Sequence, residues 1–313
     1  MMPKGFSGFF WIAFACCCFI GTPVPGEEAA SGTTHGPGTE KDATGTPATP
    51  VSVEGLTVAP DSEDRRLLDL SLLPEDPAPG EHPLAPAVRW AKQGLVELEK
   101  VEDYCATLVK RERNGSQPGE YEYILVKIRE KPFSVYLHFL GPPHLEGQEV
   151  IYMEGQNDGK MLAHGVGMQK ALFGTVAIRP DGFIAMRGQN YPLTEIGIRN
   201  LVRRLIEVGE QDMQYDECEV KYFENAKING RPCTCVQVMH PVPRKNFIFH
   251  IARIFIDKEL NIPIRYAAYD WPTEEGGKPQ LIEEYTYLDF KANNGFTDAD
   301  FDIHNPNYGF MSK

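Results

Sequence analysis

The stretch CATLVKRERNGSQPGEYEYILVKIREKPFSVYLHFL, residues 105–140, decides the fold. Cys105 to Arg111 runs with a period of two into the turn signal Asn114-Gly115, and a second turn stands at Pro118-Gly119. Tyr121 to Arg129 then reads as a strand, Lys131-Pro132 as a corner, and Pro132 to Leu140 as the next strand. Strands joined by short turns, with no room between them for a crossover helix, predict an antiparallel meander. The same rhythm continues downstream, in Glu149–Glu154 and in Lys160–Ala163 across the Asn157-Asp158-Gly159 turn.

Two helical patterns flank this meander. Before it, Val88, Ala91, Leu95 and Leu98 recur at three- and four-residue spacing, which predicts a helix from Ala85 to about Asp103. After it, beyond Tyr191-Pro192, Ile198, Leu201, Val202 and Leu205 make one stripe, with Arg199, Arg203, Arg204 and Glu207 off it. Those three arginines read as a small basic patch on a solvated helix face. Strand signals resume at Glu219–Glu224, Cys233–Met239, Phe247–Ile256, Ile262–Tyr269 and Leu281–Phe290. Helix, meander, helix, meander is an α+β arrangement rather than alternating βαβ units.

Several strands are apolar on both faces: Tyr123 and Leu125 oppose Ile124, Val126 and Ile128, and Phe247, Phe249 and Phe255 oppose Ile248, Ile254 and Ile256. A sheet with one wet face alternates cleanly, so both faces of this one are expected to be covered in part. The helices supply one cover, and a long loop, a partner or an apolar ligand the other.

Upstream, Lys4 and the apolar run Phe6–Ile20 precede a break at Gly21–Gly26. The run is shorter than the roughly 20 residues of a membrane-spanning helix, and its parts are those of a secretory signal, expected over residues 1–26. An uncleaved anchor is the competing reading. Ala13-Phe14-Ala15-Cys16 is a poor version of a lipidation signal, because Phe14 is bulky; an acyl anchor on Cys16 is ranked behind simple cleavage. Residues 27–84 are rich in Gly, Thr, Pro, Ala and Ser and are expected to form a tether with a proline-rich lead-in. Residues 85–313 are the size of one large domain or two small ones, and are read as one. The chain is therefore expected in the periplasm or cell envelope.

The middle segment Val126–Leu137, the pair Val150-Ile-Tyr and Gly159–Ala163 with its Asp-Gly turn, and the late Gly295-Phe-Thr-Asp-Ala-Asp-Phe301, resemble the periplasmic lipoprotein-carrier superfamily, the Lol-type fold. More closely, Asp103–Arg113, Phe223–Cys235 and Ala268-Tyr-Asp-Trp-Pro272 are similar to the exported family called domain of unknown function 1571, over most of residues 95–308. The resemblance implies a strongly curved antiparallel sheet, an open half-barrel, with helices on its concave face. In the carriers that cavity holds acyl chains; the closer family brings no activity with it.

The chemistry-bearing residues do not gather into a motif. His138, His144, His164, His240 and His250 lack metalloprotease spacing, no serine sits in a nucleophile elbow, and no phosphate-binding glycine loop is present. Asp298, Asp300, Asp302 and His304 alternate, but Ile303 and Gly309 stand where a calcium loop needs Gly and Glu; no metal or other cofactor is expected, and Thr297 or Asp298 is expected to cap a short turn. A formal net charge of −13 disfavours nucleic acid. Four cysteines lie beyond the leader: Cys105, Cys218, Cys233 and Cys235. The Asn229-Gly230 turn sets Cys235 against Glu224, about 20 Å along the strand from Cys218, which leaves Cys105 with Cys233 or Cys235 as the candidate bridge. Free, buried thiols are the alternative.

The glycine-punctuated apolar stretch 165–178, with Met161, Met168 and Phe173, reads either as a flexible gate to a cavity or as packed core. Together with Leu137, Phe139, Leu201 and Leu205 these residues are the candidate ligand-binding set. The leading expectation is a non-enzymatic binding protein for lipid or the acyl part of a lipoprotein, in contact with lipoprotein or a membrane surface. A structural or envelope-interaction protein with a self-filled core is second, and a hydrolase third.

Overall fold

The computed structural model describes residues 73, 74, 76–167 and 174–311, all within one compact unit, Val51–Lys313. Twelve strands form one antiparallel sheet: β1 (Asp103–Asn114), β2 (Gln117–Pro118), β3 (Glu122–Glu130), β4 (Phe133–Gly141), β5 (Glu149–Met153), β6 (Met161–His164), β7 (Thr175–Ile178), β8 (Glu219–Ile228), β9 (Arg231–Met239), β10 (Ile251–Asp257), β11 (Pro263–Asp270) and β12 (Gln280–Ala292). Their order is β7-β6-β5-β4-β3-β1-β12-β11-β10-β9-β8, with β2 paired to β1 alone. The sheet is curved and open, with β7 and β8 as its free edges. The two meanders meet where β1 pairs with β12, so the earliest and latest strands lie side by side at the centre.

Among the described residues, two long helices pack on the sheet, α1 (Ala85–Glu97) and α2 (Ile198–Asp212). α1 ends earlier than the spacing predicts, because Leu98–Lys100 tighten into a 3-10 turn before β1 starts at Asp103. α2 begins on Gly197, whose φ is +113°; a Cβ there would stand 2.8 Å from the Tyr104 hydroxyl. That close approach lets the Tyr104 oxygen accept the Ile198 N–H at 2.8 Å, capping one of the helix's unpaired donors.

The core follows from the two-residue period. On the helix side, Tyr104, Ala106 and Leu108 of β1, Ile124, Val126 and Ile128 of β3, and Val135 and Leu137 of β4 are all buried in one cluster with Val202 and Ile206 of α2. Arg199 belongs to this layer too. It is buried, donates to the carbonyls of Leu98 and Val101 at 2.7 and 3.2 Å, and lies 3.4 Å from Glu130. The predicted basic patch therefore loses one member: only Arg203 and Arg204 face water, and Arg199 ties α2 to the end of α1.

The opposite face is covered where β4 and β5 lie. Tyr136 and Ile151 pack with Phe301, Tyr308 and Phe310 of the C-terminal segment, and the Tyr136 and Tyr308 rings stack at 3.9 Å. Carboxylates anchor that segment at both ends. Asp103, at the start of β1, accepts from the N–H groups of Asn294, Gly295 and Phe296 at 2.6, 2.9 and 3.0 Å and from Asn294 Nδ2 at 3.1 Å, and Glu149 of β5 accepts the Gly309 N–H at 2.6 Å. Over β4 and β5 the second cover is thus a long loop of the chain itself.

Candidate functional site: an apolar cavity between the helices and the sheet

α1 and α2 cross closely at Gly209, where an added Cβ would lie 2.8 Å from Val88 Cγ2. Beside that crossing a cavity of about 120 Å³ opens between the helices and one half of the sheet. Small residues make its room: Ala87, Ala91 and Gly94 of α1, and Gly209 of α2. Leu205 and Val208 of α2, Val236 and Val238 of β9, and Ala252, Ile254 and Ile256 of β10 complete an almost wholly apolar wall. The cavity is partly open rather than sealed.

Asp212 is the one carboxylate in that lining, at the last residue of α2, and is only 4% exposed. Burial raises its pKa from 3.8 to about 6; a helix C-terminus also disfavours a carboxylate. His240 stands behind it, fully buried and stacked on Phe247 at 3.9 Å. Its Nδ1 lies 3.2 Å from the Phe249 carbonyl oxygen, and its Nε2 lies 3.3 Å from Asp212 Oδ2. A carbonyl can only accept, so Nδ1 carries the proton, and Nε2 is near Oδ2 without a hydrogen bond to it. Burial also lowers the His240 pKa, keeping the ring neutral.

Of the candidate ligand-binding residues, Leu205 lines this cavity and Leu201 packs beside it against the adjoining apolar cluster. Leu137 and Met161 are buried in the main core, with Phe139 half-buried against it. Met168, Phe173 and Cys16 lie outside the described residues, as do the predicted signal and nearly all of the tether. The segment 175–178 of the expected gate is a strand, β7, at the sheet edge.

Cys105, Cys218, Cys233 and Cys235 are free thiols. Cys105 is on β1 and the other candidates on β9, with β12, β11 and β10 between them; four strand spacings come to about 19 Å, too far for a bridge. A bulge between Phe223 and Ala226 also moves Cys235 opposite Phe223 rather than Glu224. Asp298 and Asp300 are drawn apart by Arg129 and Lys127, at 2.8 and 3.1 Å, while Asp302 holds His304. Thr297 and Asp300 form the capping box of the short turn.

A buried acidic cluster went unread. On the helix side of the sheet, Glu112 and Glu283 sit opposite each other on β1 and β12, with Lys110 3.6 Å from Glu112 and 3.5 Å from Glu122. The Tyr285 hydroxyl donates to Glu112. Tyr191 Oη and Asn190 Nδ2 donate to Glu283 at 2.8 and 2.7 Å, and Asn190 N–H to Glu112 at 3.0 Å. Burial, and after it the charge of Glu112, pushes the Glu283 pKa up against these hydrogen bonds. The cluster clamps residues 189–191 onto the sheet. Its signal was the run of charge at Lys110–Glu112 and Glu283-Glu284 inside otherwise apolar strands.

No curated protein matches the chain. Among solved structures, a putative outer membrane lipoprotein-sorting protein domain from Vibrio parahaemolyticus is 12% identical, with 64% of this chain and 89% of that one covered at a TM-score of 0.31. Lipoprotein LppX of Mycobacterium tuberculosis is 10% identical over 70% and 100% of the two chains, at 0.39. A LolA superfamily protein from Nitrosomonas europaea is 8% identical over 68% and 97%, at 0.28. Likeness at that level does not carry their roles to this chain. The family described as "Protein of unknown function (DUF1571)" matches residues 101–310, about two-thirds of the sequence, and the chain belongs to it.

Proposed function

We propose that this protein is an exported, non-enzymatic binding protein whose cavity between α1, α2 and the sheet accepts an apolar ligand, a lipid or the acyl part of a lipoprotein. One observation carries the reading: a partly open cavity walled almost entirely by apolar side chains. At about 120 Å³ it is a little smaller than the roughly 150 Å³ apolar cavity that holds benzene. It therefore takes a ring or a few methylenes as it stands, and a longer chain only as α1 and α2 part. Native mass spectrometry of protein prepared without detergent is expected to find a co-purified lipid. Protein that emerges without added mass, and stays so after incubation with lipid vesicles, would sink the proposal.

A second reading, a structural or envelope-interaction protein with a self-filled core, draws support from Leu137 and Met161, which are buried in the main apolar cluster. A partner recovered by crosslinking from protein that carries no lipid would favour it.

A further inference from the structure

An apolar cavity with one buried carboxyl in its wall selects among apolar ligands by their polar end. Asp212 stands in the cavity lining, with Oδ2 3.3 Å from His240 Nε2 but not hydrogen-bonded to it, while the backbone and ring of His240 are held by His250 and Phe249. An Asp212 oxygen accepts in either state of the group: as the carbonyl of the protonated carboxyl, or as part of a carboxylate. Around it the wall is hydrocarbon, so a hydrogen bond made there is not diluted by water. Cys218, whose thiol burial pushes up to about 12, and Tyr266, whose pKa burial also raises, are the neighbouring titratable groups that feel Asp212; neither offers a cation.

On this ground we infer that the cavity recognises an apolar ligand ending in an O–H or N–H donor, such as a long-chain alcohol or an acylglycerol, with that donor on Asp212, and that it rejects the matching carboxylate. An ionised carboxylate has only acceptors to present to an acceptor, and a second negative charge beside the pair would have to be buried unpaired. The inference rests on the apolar-ligand reading above, and narrows it to a class.

Three small probes of one shape, toluene, benzyl alcohol and benzoate, match the volume and separate the two ideas. Binding is followed at pH 7 by calorimetry and by chemical shifts of the lining methyl groups, on wild type, Asp212→Leu and Asp212→Asn. Benzyl alcohol is expected to bind, and benzoate to bind at least a hundredfold more weakly. In Asp212→Leu the benzyl alcohol to toluene affinity ratio should fall about tenfold, the worth of one net hydrogen bond. Asp212→Asn should hold that ratio within about twofold, because its Oδ1 still accepts. That variant also controls for folding. Toluene binding with an unchanged ratio in Asp212→Leu overturns the head-group inference and leaves the cavity reading intact. If none of the three probes binds, both fall.

Discussion

Replacing Asp212 with Asn should make the protein more stable, and by an amount that depends on pH. A carboxyl whose folded-state pKa is raised favours folding only while protonated. Its contribution is fully present below the unfolded value of 3.8 and is lost as pH climbs to about 6. At about 1.4 kcal/mol per pH unit, the loss between those two values comes to about 3 kcal/mol. The group is almost wholly buried, so solvent screening removes little of it. Asn keeps the shape and has nothing to ionise. The lowered pKa of His240 acts in the other direction, withdrawing stability as pH falls below its unfolded range. Urea unfolding of both proteins at pH 4.5, 6, 7 and 8 checks this. The advantage of Asp212→Asn should be small at 4.5, grow toward 6 and level off near 2–3 kcal/mol above 7. An advantage that is the same at 4.5 and 8, or a variant less stable at 8, would refute the raised carboxyl pKa.

Asp103→Ala removes the acceptor of four hydrogen bonds from Asn294–Phe296. Bonds to a charged group are worth about 1.5–3 kcal/mol each, and some freed amides reach water, so a loss of about 3–4 kcal/mol is expected, with hydrogen exchange at residues 294–310 rising first. A change under 1 kcal/mol would show that the C-terminal cover holds without its anchor. Alkylation of the denatured protein without reductant should label all four cysteines beyond the leader, whereas in the native state only half-exposed Cys105 reacts quickly. The Cys233 and Cys235 thiols are buried and raised to about 12 and 11, which keeps them from the reactive thiolate form. A missing pair of labels after denaturation would restore the bridge.

The strands and helices were legible because each rests on a local signal. The Asn229-Gly230 turn fixes Ile228 against Arg231, and the stripe Ile198, Val202 and Leu205 marks α2. What failed depends on long-range placement. The bulge after Phe223 shifts register by one residue, and nothing in Phe223–Ala226 announces it. Arg199 looked solvated because its acceptors are two backbone carbonyls about a hundred residues away. The cysteine pairing failed for a similar reason: two-strand arithmetic excludes partners within a hairpin but does not say how many strands separate the hairpin from β1. Asp103 and Gly295 sit in two stretches read separately for their resemblance, and only the structure joins them.

The same logic explains why the cavity between α1, α2 and the sheet, which Leu205 lines, gives little sign of itself in the sequence. Large apolar residues such as Leu137 and Met161 fill space wherever they meet, and interiors are packed to crystal-like density. A cavity survives only where small residues face one another. Ala87, Ala91 and Gly94 on α1 oppose Gly209 on α2 and Ala252 on β10, and there the two helices cannot close on the sheet. Alanine is the best helix former, so Ala87 and Ala91 cost α1 nothing locally and give no sign of the void they leave. Gly94 and Gly209 each cost about 1 kcal/mol in a helix. At Gly209 the close approach of Val88 accounts for that cost, and Gly94 stands in the cavity lining. A larger residue there, Gly94→Leu, should raise helix stability while abolishing toluene binding; a variant that binds as before would place the ligand elsewhere.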